Sequence, residues 1–286
     1  MSKVKIGVIG GSGLYEMEGL KLLDEKWVDT PFGKPSDAII IGELEGETIA
    51  FLPRHGRGHL FTPSEINYRA NIFALKTLGV ERILSVSAVG SMKESIAPGD
   101  IVIVNQFIDR TQQRPSTFFG NGIVAHVSFA DPVCPHLFDV TCKAANKTKA
   151  KVHKGGTYVC IEGPMFSSRA ESKVYRTWGV DVIGMTNYQE AKLAREAEIC
   201  YLTIALSTDY DCWHESEEAV DVAMVVATMN KNVATAKAIL KEAIKNIGAK
   251  RDCLCATALK NAVMTDPKKI SAETKKRLEP IMGKYL

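Results

Sequence analysis

Short β-rich runs alternate with helical patterns along most of this 286-residue chain. The predicted strands are residues 4–9, 38–41, 48–52, 82–86, 100–104, 156–161 and 200–206. Such alternation is typical of α/β proteins, in which helices flank a central β-sheet. With 45% hydrophobic and 24% charged residues, the chain can bury one substantial core. We therefore predict a single α/β domain.

Two segments carry signals for the start of a helix. In Thr62-Pro63-Ser64-Glu65, a threonine cap, a proline at the first helical position and a glutamate three residues after the cap predict a helix over residues 64–78. Gly79 is expected to end that helix, because glycine readily adopts the left-handed conformation that follows many helices. The same capping pattern in Ser168-Arg169-Ala170-Glu171 predicts a second helix start.

A long amphipathic helix is predicted from Ser216 onward. Its apolar residues recur every three or four positions, so that one stripe packs against the sheet, and Gly248 is expected to end it. The stripe contains Val222, Val225, Val226, Met229, Val233, Ala236, Leu240, Ala243, Ile244 and Ile247. The residues beyond it are rich in lysine. We expect the main domain to span residues 1–248 and a helical C-terminal tail to span residues 249–286.

Charge and hydrophobicity argue against two classes of partner. The formal net charge is only +3, and the lysines are spread along the chain apart from those of the tail. A nucleic-acid partner is not expected, because such proteins concentrate basic residues on one surface. No apolar stretch has the roughly 20 residues that a membrane-spanning helix needs. The N-terminal residues enter a strand-like run without a signal peptide's apolar region, which predicts a cytoplasmic protein with no membrane partner.

The seven cysteines show no CxxC spacing and no spacing of cysteine and histidine that marks a zinc site. We therefore predict no metal site, and we expect most of these thiols to be buried and unmodified. Cys253 and Cys255 are separated by one residue, and such a pair can close a small, strained and reducible disulfide. A reduced pair is the expected state in a cytosol.

Polar or small residues follow several predicted strands at the point where each strand ends. The first strand ends in Gly10-Gly11-Ser12-Gly13, whose bare backbone and hydroxyl can approach an anion. Arg54 and His55 emerge at another strand end, and both side chains suit phosphate oxygens. Residues 85–91 are rich in hydroxyls and small side chains, which lets a backbone approach a flat ligand. Taken alone, each of these features also fits a tight turn or another structural role.

Two aspartates, Asp209 and Asp211, follow the apolar run of residues 199–206. Ligands of open α/β sheets bind outside the carboxyl ends of strands, so this pair suggests chemistry, although aspartate is also common in solvated turns. Together the strand ends describe a site for one anion and one cationic or proton-bearing group. A dinucleotide site is not predicted, because Glu16 interrupts the GxGxxG fingerprint and the GK[ST] step of a P-loop is absent.

These strand ends and several further motifs resemble the 5′-methylthioadenosine phosphorylase family, within the trimeric purine nucleoside phosphorylases. The resemblance implies a central mixed β-sheet flanked by helices. The sequence departs from the family pattern at Met165, where arginine is common in the family, and at Gln189, where proline is usual. The motifs that carry it are Gly10-Gly11-Ser12-Gly13-Leu14-Tyr15, Pro53-Arg54-His55-Gly56, Asn67-Tyr68-Arg69-Ala70-Asn71, Ser87-Ala88-Val89-Gly90-Ser91, Ile161-Glu162-Gly163-Pro164, Phe166-Ser167-Ser168-Arg169-Ala170-Glu171, Gly184-Met185-Thr186 and Thr208-Asp209-Tyr210-Asp211-Cys212-Trp213.

The resemblance implies phosphorolysis of 5′-methylthioadenosine to adenine and 5-methylthioribose 1-phosphate, in purine and methionine salvage. It implies inorganic phosphate as a co-substrate, no metal or organic cofactor, and a homotrimer, with a hexamer left open. The implied phosphate-binding residues are Ser12, Arg54, His55, Ser87, Ala88 through its backbone, and Thr186. The implied substrate-binding residues are Val89, Gly90, Phe166, Ser167, Ile183, Met185, Val222, Val225, and His126 from a neighbouring subunit.

By the same resemblance, Asp209 is the catalytic residue that shares or donates a proton at N7 of the purine, with Asp211 as its partner. Related 6-oxopurine enzymes carry asparagine at the position of Asp209, so aspartate here favours a 6-aminopurine. Three alternatives stay open. They are a 6-oxopurine nucleoside or methylthioinosine phosphorylase on the same fold, a dinucleotide-binding protein, and a nonenzymatic nucleoside sensor that keeps the pocket.

Overall fold

The computed structural model describes residues 4–11, 14, 18–214 and 222–286, with only the backbone of residues 222–227, 229 and 231. These residues form eleven strands and six α-helices. The strands are β1 (Ile6–Gly10), β2 (Lys21–Lys26), β3 (Ile39–Leu44), β4 (Glu47–Pro53), β5 (Arg82–Ser91), β6 (Ile101–Ile103), β7 (Gln106–Arg110), β8 (Val152–Lys154), β9 (Thr157–Ile161), β10 (Val182–Gly184) and β11 (Cys200–Asp209). The helices are α1 (Tyr68–Thr77), α2 (Pro135–Ala145), α3 (Arg169–Thr177), α4 (Asn187–Glu196), α5 (Val222–Asn246) and α6 (Ala272–Met282).

All the described strands belong to one mixed sheet. Its main path runs β2-β3-β4-β1-β5-β10-β9-β7, and β11 joins β5 to β6, which in turn pairs with β8. β1 lies parallel to β4 and β5, and β11 lies parallel to β5, whereas β10 runs antiparallel to β5. The predicted single α/β domain with a mixed sheet is confirmed. The parallel pairing brings the carboxyl ends of β1, β4, β5 and β11 to one edge of the sheet.

The predicted strands are all present, with ends that shift by a few residues. The strands that the sequence did not predict are β2, β7, β8 and β10. β8 and β10 span only three residues each, which is too short for a period to be recognised. β2 has almost every residue exposed, so it lacks the alternation of a half-buried strand.

The predicted start of α1 is wrong by four residues. The helix begins at Tyr68, and the Asn67 side chain caps it. Glu65 does return to Thr62, whose backbone N–H donates to the Glu65 carboxylate at 2.9 Å. That segment closes a turn instead of continuing as a helix. The predicted end is confirmed, because Gly79 follows the helix with a positive φ of 97°.

The other two helix predictions agree with the structure where it describes them. Ser168 and Glu171 form the predicted reciprocal capping box of α3. Gly248 follows α5 with a φ of 68°, and residues 216–221 of the predicted helix lie outside the described residues. The inner face of α5 buries Ala236, Ile239, Leu240, Ala243 and Ile244 in the same hydrophobic cluster as residues of the sheet, and Ile247, just after the helix, is buried there too. No described helix, α5 included, is both long and apolar enough to cross a membrane.

The C-terminal tail packs onto the core of the main domain. Leu278, Ile281 and Met282 of α6 join the hydrophobic cluster that contains the buried face of α1. The Tyr285 hydroxyl also donates to the buried carboxylate of Glu198 at 2.6 Å. The tail is therefore helical in part, as expected, and it contributes to a shared core. The predicted domain boundary at residue 248 stays a prediction.

We expect Leu278→Ala to lower the free energy of unfolding by about 2–5 kcal/mol, because it removes a fully buried side chain and leaves a cavity. Lys276→Ala changes an exposed residue of the same helix and should shift stability by less than about 0.5 kcal/mol. Denaturant unfolding of both variants at equal protein concentration measures the difference. Equal stabilities would contradict a shared core between the tail and the main domain.

Candidate active site

Strand register assembles the site at the carboxyl edge of the sheet. Gly10 at the end of β1 lies opposite Pro53 of β4, and the Arg54 backbone N–H donates to the Gly10 carbonyl at 3.1 Å. On the other side of β1, β5 continues to Ser91, and its Gly90 lies opposite Asp209 of β11. The structure thus brings together the predicted residues of β4, β5 and β11. Ser12 lies outside the described residues.

Arg54 is buried beneath this edge and paired with Glu190 of α4. Its Nε donates to Glu190 Oε1 at 2.7 Å, and its Nη2 donates to Glu190 Oε2 at 3.2 Å and to Ser85 Oγ at 2.5 Å. Nη1 donates to the Val86 carbonyl at 2.7 Å. Burial lowers the pKa of Arg54, but the charge of Glu190 more than offsets it and raises the pKa overall. Among the described residues, one N–H of Nη1 has no partner, so Arg54 can offer it to an anion.

A layer of buried polar side chains supports this ion pair. Glu190 Oε2 also accepts hydrogen bonds from the Ser85 hydroxyl at 2.7 Å and the Tyr201 hydroxyl at 2.8 Å. Asn187 Nδ2 lies 3.0 Å from the hydroxyl oxygens of Ser85, Tyr201 and Thr203. Because buried polar groups are costly without partners, this network ties α4 to β5 and β11 in one arrangement.

His55 is neutral at neutral pH and has a defined tautomer. Burial, opposed in part by a hydrogen bond to the Phe61 carbonyl, lowers the pKa of His55 from 6.5 to about 4. Nδ1 lies 2.8 Å from the Phe61 carbonyl oxygen, which can only accept, so Nδ1 carries the proton. Nε2 of the neutral ring is then a hydrogen-bond acceptor. The ring stacks on His59 with centroids 4.1 Å apart.

Two further hydroxyls, those of Thr186 and Ser87, belong to the segments that surround Arg54. Thr186 is buried and directly precedes α4, whose N-terminal backbone N–H groups and dipole favour an anion. Ser87 is half-buried in β5, and its hydroxyl lies 3.2 Å from the neighbouring Ala88 carbonyl oxygen and also hydrogen-bonds to the Tyr158 hydroxyl. The Thr186 hydroxyl lies 3.2 Å from Asn187 Oδ1, so each of these hydroxyls has a protein partner and would have to rotate to donate to a ligand.

A β-bulge determines where Asp209 lies. The register of β11 against β5 shifts between Ser207 and Asp209, so that Thr208 is the extra residue. Asp209 is 5% exposed and accepts the Asp211 backbone N–H at 2.8 Å on Oδ1. The Thr208 hydroxyl lies 2.7 Å from Asp209 Oδ2 and 3.2 Å from the Val89 carbonyl oxygen. These contacts fix the orientation of the Asp209 carboxylate.

Asp211 anchors the loop that carries the predicted base-binding residues. It is 6% exposed and adopts a left-handed backbone conformation with a φ of 50°. The Ser167 hydroxyl lies 3.1 and 2.9 Å from its two carboxylate oxygens. Phe166, the neighbour of Ser167, is 46% exposed. The two predicted catalytic aspartates thus differ in their contacts, one to strand β11 and the other to the loop before α3.

Small or apolar predicted residues surround Asp209. A side chain at Gly90 would place its Cβ 3.0 Å from both Asp209 Oδ1 and Ile183 Cγ2, so any larger residue would push against both groups. Val89 and Ile183 are buried, and Met185 is half-buried with its sulfur close to Gly163. The structure therefore brings Val89, Gly90 and Ile183 close to the carboxylate, whereas Met185 has no described contact with it.

Three other predicted substrate-binding residues, Val222, Val225 and His126, have no described contact with the residues around Asp209. Val222 and Val225 lie at the start of α5, and their side chains are outside the described residues. His126 is exposed, and its backbone N–H donates to the Ala262 carbonyl of the tail at 2.9 Å. The role of His126 in a neighbouring subunit stays a prediction.

Sequence reasoning missed the residues that support the site. Glu190 bonds to Arg54 and Asn187 bonds to Ser85, and each pair is separated by more than eighty positions in the sequence. No local sequence pattern marks such pairs. Arg114 is also buried, and its guanidinium donates to the carbonyls of Met185 and Glu162. Gln189 accepts from Arg114 Nη1 at 3.2 Å, which gives this departure from the family pattern a structural role.

Known proteins match the chain along nearly its whole length. The sequence model of the Phosphorylase superfamily matches residues 5–245. The S-methyl-5′-thioadenosine phosphorylase of Geobacter sulfurreducens is 60% identical over 282 residues, which are 98% of this chain and 99% of that protein. The one from Koribacter versatilis is 55% identical and covers 99% of this chain and 97% of its own length.

Solved structures agree. A methylthioadenosine phosphorylase from an antarctic soil metagenomic library has a TM-score of 0.93 and 52% identity, over 98% of this chain and 99% of that one. The methylthioadenosine phosphorylase of Schistosoma mansoni, solved in complex with adenine, has a TM-score of 0.82 and 41% identity, over 87% and 93%. The chain belongs to the phosphorylase superfamily and, within it, to the S-methyl-5′-thioadenosine phosphorylases.

Proposed function

We propose that the protein cleaves 5′-methylthioadenosine with inorganic phosphate and releases adenine and 5-methylthioribose 1-phosphate. The observation that carries this proposal is the spacing of two residues, Ser87 and Gly90, along β5. Ser87 offers a hydroxyl beside the anion-compatible groups, and Gly90, three residues later, packs against the Asp209 carboxylate. The rise along three strand residues is about 10 Å, which leaves room for a ribose between an anion and a purine.

The mechanism follows from where charge develops. As the C1′–N9 bond breaks, its electron pair moves to the purine and the ribose becomes oxocarbenium-like. A phosphate oxygen forms the new bond to C1′, and its negative charge stabilises the developing cation. A proton at N7 relieves the purine of its charge, and Asp209 shares or donates that proton. Asp211 is the partner residue, since its backbone N–H holds Asp209 Oδ1.

On the phosphate side, the proposed residues are Ser12, Arg54, His55, Ser87, the backbone of Ala88, and Thr186. Arg54 supplies one N–H and a positive charge that Glu190 largely balances. His55 presents Nε2 as an acceptor, so its partner is a protonated phosphate oxygen. Ser87 and Thr186 supply the donors. The nucleophile is thus held mainly by neutral groups and a helix N-terminus, which leaves its oxygens reactive.

On the base side, Asp209 favours adenine over a 6-oxopurine. Its carboxylate oxygens are hydrogen-bond acceptors, so they suit the donor N–H groups of a 6-amino substituent. A 6-oxo group would bring an acceptor against the same oxygens. The 6-oxopurine phosphorylase is therefore the second candidate. The remaining proposed substrate contacts are Val89, Gly90, Phe166, Ser167, Ile183, Met185, Val222, Val225 and His126 of the partner subunit.

Assembly, location and cofactor use are also part of the proposal. A homotrimer is the proposed assembly, with a hexamer as its doubled form, and the exposed position of His126 supports a site shared between subunits. A cytoplasmic location fits the seven cysteines, none of which forms a disulfide in the part of the chain that the structure describes, because reducing compartments keep cysteines reduced. The reaction needs phosphate as a co-substrate, and the proposal includes no metal or organic cofactor in this site.

Product analysis tests the proposed reaction directly. The protein is incubated with 5′-methylthioadenosine, with and without phosphate, and the products are separated and identified. We expect adenine and 5-methylthioribose 1-phosphate only when phosphate is present. Cleavage that does not depend on phosphate, or that needs NAD(P), would refute phosphorolysis. Binding without turnover would favour a nucleoside sensor.

Asp209→Asn should weaken cleavage of methylthioadenosine and improve cleavage of 6-oxopurine nucleosides relative to it. The substitution replaces one acceptor by a donor that suits a 6-oxo group. Losing a hydrogen bond to the reacting base is expected to lower kcat/KM for methylthioadenosine by about 10²–10³-fold. The measurement is kcat/KM for methylthioadenosine and for methylthioinosine. An equal loss on the two substrates would contradict the specificity role of Asp209.

His55 should make stability depend on pH between about 4 and 6.5. Its folded-state pKa of about 4 lies below the ordinary value, so the unfolded chain binds the proton first as the pH falls through this window. Stability is therefore lost as the pH falls from 6.5 towards 4. His55→Gln removes up to about 1.4 kcal/mol of that loss per pH unit. Denaturant unfolding of both proteins across the window measures it, and identical slopes would refute the assignment.

A further inference from the structure

Four cysteines meet at the end of the sheet opposite the proposed active site. The sulfur atoms of Cys134, Cys200, Cys253 and Cys255 all lie within 4.8 Å of one another, and the Cys200 and Cys253 sulfurs are 3.2 Å apart. Zinc with four thiolate ligands at about 2.3 Å separates the sulfurs by roughly 3.8 Å. The expected spacing lies between the 3.2 Å of the Cys200–Cys253 pair and the 4.8 Å limit within which all four sulfurs lie. We propose that this four-cysteine cluster binds one Zn²⁺ ion.

The ligands come from three segments whose backbones are already fixed. Cys200 begins β11, and its backbone N–H donates to the Glu81 carbonyl at 2.9 Å. Cys134 directly precedes α2, and its backbone N–H donates to the Tyr201 carbonyl at 3.0 Å. Cys253 and Cys255 lie at a short helical turn that opens the C-terminal tail. Ligands held in this way lose little conformational freedom when an ion binds.

The surroundings of the cluster suit its charge. A Zn²⁺ ion with four thiolates carries a net charge of about −2, which needs nearby positive groups. Arg251 Nε donates to Cys200 Sγ at 3.4 Å, and its Nη2 donates to the Glu198 carbonyl. The N-terminus of α2 follows Cys134 directly and carries the positive end of the helix dipole. These groups orient and stabilise the ligands from outside the coordination sphere.

Two simpler states compete with metal binding. Reduced thiols can pack as small apolar groups, as Cys142 does within α2. A disulfide between Cys253 and Cys255 uses only two of the four sulfurs. The convergence of four sulfurs, with an arginine beside them, is the feature that favours an ion. Cys253 is half-buried and gives the ion a route from solvent.

This site revises the prediction of no metal, which rested on spacing along the chain. The ligands are 66, 53 and two positions apart, so no local motif reveals them. The proposed role is structural. β11 runs from Cys200 to Asp209, a rise of about 30 Å, so the ion lies far from the proposed reaction and fastens the tail to the sheet.

The test begins with the wild-type protein, purified with reductant and without chelators. We expect one equivalent of zinc per chain by elemental analysis. Exchange for Co²⁺ should give the absorption bands of a tetrahedral cobalt thiolate site. A chelator should expose four additional thiols to a thiol reagent. A protein that holds no stoichiometric zinc and gives no such cobalt spectrum after reconstitution would overturn the proposal. An intact mass that shows a disulfide in the cluster, which is two hydrogens lighter than the reduced chain, would also overturn it.

Matched variants assign the ligands. Cys255→Ser and Cys134→Ser should each lose the bound zinc and the cobalt spectrum, whereas Cys142→Ser, a buried cysteine outside the cluster, should keep both. Retention of tight zinc by both cluster variants would refute the site. If a variant fails to fold, the chelator experiment on the wild-type protein decides the question. Turnover of methylthioadenosine is measured separately, so failure of the metal site is distinguishable from failure of the proposed function.

Discussion

The buried ion pair between Arg54 and Glu190 is the interaction on which the rest of the site depends. Arg54 leaves β4 and Glu190 lies in the first turn of α4, so the pair fixes a helix N-terminus against the sheet edge. Removing one partner of such a pair costs about 3–5 kcal/mol, because the other charge stays buried without compensation. Ser85 and Tyr201 complete the contacts of Glu190 and extend this constraint to β5 and β11.

The same ion pair weakens the electrostatic attraction of the site for an anion. Because Glu190 balances the charge of Arg54, the field at the sheet edge is weaker than an isolated arginine would produce. Neutral donors and the dipole of α4 therefore contribute more, and the buried, neutral His55 adds an acceptor in place of a second positive charge. In the proposed reaction, a phosphate held in this way keeps its negative charge, which suits attack on a cationic sugar.

Sequence reasoning predicted which strand ends share an edge, because parallel strands carry their carboxyl ends to the same side, and register then sets Gly10 opposite Pro53 and Gly90 opposite Asp209. Sequence reasoning failed where contacts join residues that lie far apart along the chain. Glu190 is 136 positions from Arg54, and the four cysteines come from three separate segments. The predicted start of α1 was wrong because the capping pattern of residues 62–65 also fits a turn, and the Asn67 side chain caps the helix instead.

The bulge at Thr208 links strand geometry to proton chemistry. Successive side chains of a strand point to opposite faces, so without the extra residue Asp209 would not oppose Gly90. The same residue places one hydroxyl between Asp209 Oδ2 and the Val89 carbonyl. When Asp209 is ionised, that hydroxyl donates to it. When Asp209 carries a proton, it donates to the hydroxyl, which turns to the carbonyl. In the proposed reaction, this turn of the Thr208 hydroxyl lets Asp209 gain or lose a proton while the contact between the two side chains is kept.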